Sequence, residues 1–356
     1  MLSPPMKLVT CGSCIGYPRS PMPMPRSFEP APISKRYNES SKSVLDAGPA
    51  ALAASPSILA GSGALAKLTA PVLVTGANGK TGRAVLAALA AAGAQARALI
   101  RNPAQEGAVI AAGAQEVAVG DLGNADSLSK SAQGCAAIIH IGPPLDRNEL
   151  IYSRHMIAAA RSAGIDRFVY YSVMHTLSRG MRHHALKLEV EQELVESGLA
   201  FTILQPIRYM QHLEPIWRRV VDEGVHSMPF GIDRRFNIAD LHDLAEATAR
   251  VVIDPSYAYG IFELAGPAAL SQRDMTVILS EELGRPIEAQ PVSTEALLSG
   301  ALKHGSVDRA VQMLVMSDYY DRHGFQGSPA VLRMILGREP TGYRDYVRRL
   351  IAAEWA

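Results

Sequence analysis

Val72-Leu73-Val74-Thr75-Gly76-Ala77-Asn78-Gly79-Lys80-Thr81-Gly82 runs directly into an Ala- and Leu-rich segment, Arg83 to Ala92. A short apolar run, a glycine-punctuated turn and a segment of strong helix formers read as strand, tight turn and helix. Glycines allow backbone angles that a β-carbon forbids and let the chain approach a ligand closely. The helix start then offers unpaired N–H groups and the positive end of its dipole to an anion. In this context the G-x-x-G-x-x-G spacing points to a nucleotide pyrophosphate rather than to a ligand-free turn. Thr75, Gly76, Asn78, Gly79, Lys80, Thr81 and Gly82 are the candidate contacts.

Outward from this unit, strand and helix patterns alternate. Strands are expected at Pro71 to Thr75, Gln95 to Arg101, Gln115 to Gly120, Ala136 to Ile141, Arg167 to Ser172 and Ala200 to Leu204. Helices are expected at Arg83–Ala92, Pro103–Ala112, Asn124–Ala132, Asn148–Ala163 and Met181–Ser197. Such alternation means βαβ units, hence an α/β fold: a doubly wound parallel Rossmann sheet that binds ligands at the carboxyl ends of its strands. After Pro206 the pattern loosens. A helix is expected around Met210–Glu223, an extended piece capped into a helix by Asp240, a short strand at Ile261–Gly266, and a mainly helical tail with a strand at Ile287–Val292. This gives a Rossmann domain over 69–267, with part of a substrate lobe from about 207, and a small, mainly helical C-terminal lid lobe over 268–356.

Residues 1–68 differ. Eight prolines between Pro4 and Pro32, with many serines and glycines, leave no apolar period, so the segment is expected to be a disordered extension. Its basic lean fits an organelle transit peptide, which the prolines oppose. A start codon assigned too far upstream is the other reading, given Met6, Met22 and Met24. Cys11 and Cys14 have redox or half-zinc spacing but no second pair, and read as incidental thiols. Three cysteines in all suit a reducing compartment, so the expected location is cytoplasmic, with an organellar alternative. The net charge of +1 argues against a nucleic-acid or membrane-surface binder. The uncharged run Ala47–Ala66 is broken by Pro49, Pro56 and several Ser and Gly, which rejects it as a membrane span. No metal site is expected.

An NAD-preferring fold places an acidic residue at the end of the second strand to hold the ribose 2′-hydroxyl. Arg101 stands there, and no Asp or Glu occurs between Asp46 and Glu106. Arg101, with Lys80 or Arg97 as helpers, complements a 2′-phosphate and favours NADP(H). Asp121 and Leu122, after the third strand, are placed beside the adenine, although a carboxylate there also reads as a helix cap.

The glycine loop, Arg101-Asn102-Pro103, Gly120-Asp121-Leu122, Phe168-Val169-Tyr170-Tyr171-Ser172, His183-His184-Ala185-Leu186-Lys187 with Glu191, and Ser197 through Pro206 together resemble the NmrA-like branch of the atypical short-chain dehydrogenase/reductase superfamily. The resemblance covers about Pro71 to Pro267. It implies a Rossmann fold with a small C-terminal lobe and NADP(H) as cofactor. Relatives of this kind reduce quinones, dyes and other small organics, or bind NADP(H) as redox sensors with little turnover. By family position Lys187 touches the nicotinamide ribose, Ser172 the substrate, and Ile141, Gly142 and Pro206 the cofactor. In relatives the loop after Pro206 covers the nicotinamide face, and Tyr209 and Met210 in it either shape an apolar pocket or pack the second lobe. The superfamily's Tyr-x-x-x-Lys is here His183-x-x-x-Lys187. The i, i+4 spacing keeps both side chains on one helix face, and a histidine of ordinary pKa suits proton donation, so His183 is either the acid or a pocket wall.

The expected function is reduction of a small organic acceptor (quinone, carbonyl or conjugated electrophile). The alternative is a non-catalytic NADP(H) sensor. Expected partners are a small-molecule substrate and, as candidates, a second copy or a regulatory protein. Direct nucleic-acid and membrane contacts are not expected. An isomerase or epimerase using the nucleotide structurally is a third reading. The Trp217-Arg218-Arg219 and Asp233-Arg234-Arg235 clusters read as surface charge.

Overall fold

The computed structural model describes residues 68–303 and 307–354. The expected extension, with Cys11 and Cys14, lies outside them apart from its last residue. The chain order is β1 (Val72–Val74), α1 (Lys80–Ala91), β2 (Ala96–Ile100), α2 (Glu106–Ala111), β3 (Glu116–Val119), α3 (Ala125–Ala132), β4 (Ala137–His140), α4 (Glu149–Ser162), β5 (Arg167–Tyr171), α5 (Arg182–Val195) and β6 (Ala200–Pro206). Then come α6 (Trp217–Glu223), β7 (Val225–Met228), β8 (Phe236–Asn237), α7 (Leu241–Ile253), β9 (Gly260–Leu264), β10 (Ala269–Leu270), α8 (Gln272–Leu283), β11 (Glu288–Pro291), α9 (Thr294–Lys303), α10 (Val307–His323), α11 (Ala330–Leu336) and α12 (Tyr343–Glu354).

Seven strands form one sheet in the order β3-β2-β1-β4-β5-β6-β9, and every neighbouring pair is parallel. Strand side chains alternate between faces, and the core divides accordingly. Val72, Val74, Ala98, Ile100 and Val169 pack with Val85, Leu86 and Leu89 of α1 and with α7. Leu73, Leu99, Ile138, Phe168 and Ile203 pack with α3, α4 and α5. Both faces are covered, which is why the strands read as apolar runs. The strand order reverses between β1 and β4, and at this switch point a crevice opens beyond the strands' carboxyl ends.

The α/β class holds, and the expected strands of the sheet fall within a residue or two of those observed. Four details differ. The short strand expected at Ile261–Gly266, given no place in the sheet, is β9, which pairs with β6 as the sheet's seventh strand. Pro215 breaks the expected Met210–Glu223 helix into two short 3-10 turns before α6. Pro103–Ala112 begins as a 3-10 turn held by an Asn102/Gln105 capping box. Trp217 is buried, not part of a surface cluster. Asp240 caps α7 as expected, accepting the His242 N–H at 3.0 Å. Its strand β8 pairs with β10, and β11 pairs with β7, which the sequence pattern does not mark. Among the described residues no helix is long and apolar enough to cross a membrane.

Candidate functional site

A cleft of about 800 Å³ occupies the switch-point crevice, a volume within the usual range for cofactor sites. The glycine loop forms its floor. Gly76 has φ +61°, and a Cβ there would sit 2.7 Å from the Ile141 carbonyl oxygen. A Cβ on Gly82 would meet the Gly76 carbonyl oxygen at 2.2 Å, so α1 packs on the loop only because Gly82 has none. No side chain caps α1 and its first turn contains no acid. That end therefore keeps its anion-attracting character.

Of the expected cofactor contacts, Gly76, Asn78, Gly79, Lys80, Thr81, Gly82, Arg101, Asp121, Leu122, Ile141, Gly142, Lys187 and Pro206 line this cleft. Thr75 does not: it is fully buried, its hydroxyl accepts the Ile141 N–H at 2.8 Å, and it lies 2.9 Å from His140 Nδ1. It ties β1 to β4 from behind. Arg97 cannot assist Arg101, because its guanidinium pairs with Glu116 at 2.6 Å and donates to the Ser131 and Gln133 carbonyls. Lys80 Nζ is held by Glu214 at 2.7 Å and by the Gln211 carbonyl at 3.0 Å, so it staples α1 to the loop after β6. Arg101 is exposed at the end of β2, and among the described residues no carboxylate pairs with it. Asp121 Oδ1 accepts the Gly123 N–H at 2.7 Å in the turn after β3, while the helix-cap role also read for it falls to Asn124, which caps α3.

At the far end of the cleft α5 brings His183 and Lys187 to the wall, and β5 brings Ser172. Lys187 is buried and its donors are engaged: Nζ lies 2.9 Å from Glu149 Oε1, 2.9 Å from the Tyr171 carbonyl oxygen and 3.3 Å from the Tyr170 hydroxyl. It lines the cleft, where the family position expects a ribose contact, with its ammonium already bonded inside the protein. Burial alone would raise the Glu149 carboxyl, but Lys187 and the Tyr170 hydroxyl outweigh it and hold the carboxyl below its ordinary range. Burial, then Glu149, pushes the Tyr170 phenol well above 10. The Glu149 carboxylate packs against Gly142, where a Cβ would come within 2.6 Å of Oε1, and its buried Oε2 has no hydrogen-bond partner among the described residues. The Ser172 hydroxyl donates to Glu191, which also receives Gln205 Nε2 at 2.8 Å and the Thr176 hydroxyl at 3.3 Å. Ser172 therefore turns only lone pairs to the cleft in this arrangement.

His183 makes no hydrogen bond among the described residues and faces the cleft. Burial first, then Lys187 and His184, holds its imidazole well below 6.5. That direction favours a neutral ring, with one N–H and one lone pair, over an imidazolium. Its neighbour His184 is structural: its ring nitrogens bond the His175 carbonyl and the Tyr320 hydroxyl, each at 3.0 Å. Phe236, Met316, Tyr320 and Phe325 wall this end with apolar and aromatic surface.

Sequence reasoning missed Glu149 and Arg208 as site residues. The available signal was position: Glu149 opens the helix that follows β4, and Arg208 follows β6 by two residues, so both stand where a doubly wound sheet puts its ligands.

A doubly wound parallel sheet with an uncapped helix behind three glycines at the switch point defines a dinucleotide-binding Rossmann protein, here with an apolar pocket added beyond β5 and β6. The chain belongs to the NmrA-like family, whose pattern matches residues 69–338. It is 27% identical over 283 residues to quinone oxidoreductase 2 of Escherichia coli (strain K12), covering 78% of this chain and 98% of that protein. It is 28% identical over 225 residues to the NAD(P)H azoreductase of Xenophilus azovorans, covering 63% and 78% of the two chains. Among solved structures, an Escherichia coli NADPH-dependent quinone oxidoreductase complexed with NADPH aligns with a TM-score of 0.68 at 24% identity, over 79% of this chain and 99% of that one. This last similarity shows the shared fold.

Proposed function

We propose that this protein is an NADP(H)-dependent reductase of small organic acceptors: quinones, carbonyls or conjugated electrophiles. The observation that carries the reading is one continuous cleft. It joins a glycine cradle and the unpaired Arg101 at one end to an aromatic pocket containing His183 and Ser172 at the other. The residues present fit the cofactor. The loop from Gly76 to Gly82 would receive the pyrophosphate, Arg101 the 2′-phosphate, and Asp121 and Leu122 the adenine side, with Ile141, Gly142 and Pro206 along the walls. When bound, NADPH supplies a hydride from its nicotinamide. The quinone oxidoreductase and the azoreductase named above are proteins of this kind.

The chain's own part is positioning and charge stabilisation. The Glu149–Lys187 pair fixes the ends of β4 and β5 through the Tyr171 carbonyl and Gly142. Neutral His183 offers an N–H to the acceptor oxygen that gains charge, and solvent supplies the proton. The apolar wall excludes most water around the reacting groups. NADPH oxidation with a panel of quinones, azo dyes and enones checks this. Acceptor-dependent oxidation is expected, and a rate no higher than cofactor alone across the panel counts against it.

One observation favours a second reading, a non-catalytic NADP(H) sensor: Lys187 is paired internally and His183 is neutral, so the His-x-x-x-Lys pair offers no ready acidic proton. Sizing the protein with NADP⁺, with NADPH and without either separates the two, because a sensor changes its assembly between these states.

A further inference from the structure

Arg208 is the cation the reductase reading leaves without work. It follows β6 in an extended segment, bridged by Tyr209 to Ala239, with the Ala239 N–H donating to the Arg208 carbonyl at 3.0 Å. Consecutive side chains in extended backbone point to opposite sides. Tyr209 turns its hydroxyl toward Thr81 in the glycine loop. Arg208 turns the other way, its guanidinium carbon 5.5 Å from the Phe230 ring centre, and it lines the aromatic end of the cleft. It is half-buried, and among the described residues no carboxylate or carbonyl receives its N–H groups.

The groups that act on it are His212, His226, Tyr320 and Tyr343, none of them anionic near neutral pH. Other arginines of this region find partners: Arg338 pairs with Asp243 and Glu246, and Arg344 with Glu281 and Glu282. Behind Arg208 lies a cavity of only about 20 Å³, room for one water. A counter-ion therefore has to arrive from the cleft. A partly desolvated cation without a partner is costly to keep, and a guanidinium fork matches two oxygens of a carboxylate, sulfonate or phosphate.

We infer that Arg208 makes the acceptor end of the cleft an oxyanion subsite, so that the preferred acceptors carry a carboxylate, sulfonate or phosphate group beside the reducible function. The inference rests on the reductase reading for calling that ligand an acceptor. The oxyanion itself is recognised whether or not turnover follows.

The test uses the full chain with NADP⁺ bound and measures affinity for anthraquinone-2-sulfonate and for neutral 2-(hydroxymethyl)anthraquinone by calorimetry, followed by NADPH turnover with each. The sulfonate should bind about ten- to hundred-fold tighter, the usual worth of a charged hydrogen-bonded pair. Arg208→Met should erase that preference and Arg208→Lys restore part of it. Arg208→Met should fold with an unchanged or higher melting temperature, because it removes an unpaired charge. Arg208-dependent sulfonate binding without turnover upholds the subsite and refutes the reductase reading. Turnover of both acceptors with equal affinity, or a sulfonate preference that survives Arg208→Met, overturns the subsite and leaves the reductase reading standing. A loss of NADP⁺ affinity in Arg208→Met as large as the loss of sulfonate affinity also overturns it.

Discussion

At Arg101 a guanidinium stands at the end of β2 with no competing carboxylate among the described residues, so a 2′-phosphate would meet it unopposed. Charge-assisted contacts of this kind contribute about 1.5–3 kcal/mol, so Arg101→Ala should weaken NADPH binding roughly ten- to hundred-fold and leave NADH binding nearly unchanged. Equal losses in paired titrations would remove Arg101 from that role. His183 makes a different demand. With its imidazole held neutral by burial and by Lys187, kcat/KM should run flat through pH 6.5 and fall only well below it. An inflection near 6.5 that disappears in His183→Gln would show that the ring titrates normally. The Glu149–Lys187 pair is buried on both sides, with side chains 2% and 7% exposed. Removing one partner strands the other, at about 3–5 kcal/mol. Glu149→Gln and Lys187→Met should each cost roughly that in urea unfolding, and the double variant much less than their sum.

The glycine loop and α1 work as one element. Gly82→Ala would push a methyl to within 2.2 Å of the Gly76 carbonyl oxygen, so α1 must shift and NADPH affinity should fall more than about ten-fold as the cradle opens. Gly107 in α2 meets nothing within 4 Å, and Gly107→Ala should instead stabilise by about 0.5–1 kcal/mol. The contrast, read from melting temperatures and cofactor titrations, separates a glycine needed for contact from one that is merely tolerated. The same elements show what sequence can carry. Apolar runs buried on both sheet faces and turns marked by Gly, Pro, Asn and Asp announced β1 to β6 and the switch-point site, because period and turn chemistry are local. The pairing of β9 with β6, the β7–β11 pair and the partners of Lys187 were not legible. Each depends on which distant segment arrives beside it: Glu149 reaches Lys187 across 38 residues, and Val225–Met228 is too short to show a period.

Across the whole molecule, buried histidines should set the acid limit. His140, His184 and His226 are each lowered to about 4, burial being the largest cause. Unfolded, each would titrate near 6.5. Between those values the unfolded chain binds more protons than the folded one, so stability is full above pH 6.5 and is lost as pH falls toward 4. Urea midpoints measured across that range should decline with an uptake of several protons on unfolding, because His183 is lowered as well. A flat profile would mean that these rings are charged in the fold. The proposed chemistry needs the whole cleft, from Arg101 to the aromatic wall. Its most direct test is a single turnover, with protein in excess over NADPH, mixed rapidly with a soluble quinone. The bound NADPH absorbance should decay faster than that of free NADPH with the same quinone, at a rate that saturates with quinone concentration. Decay no faster than in free solution would contradict a reductase and leave a nucleotide-binding protein without hydride transfer.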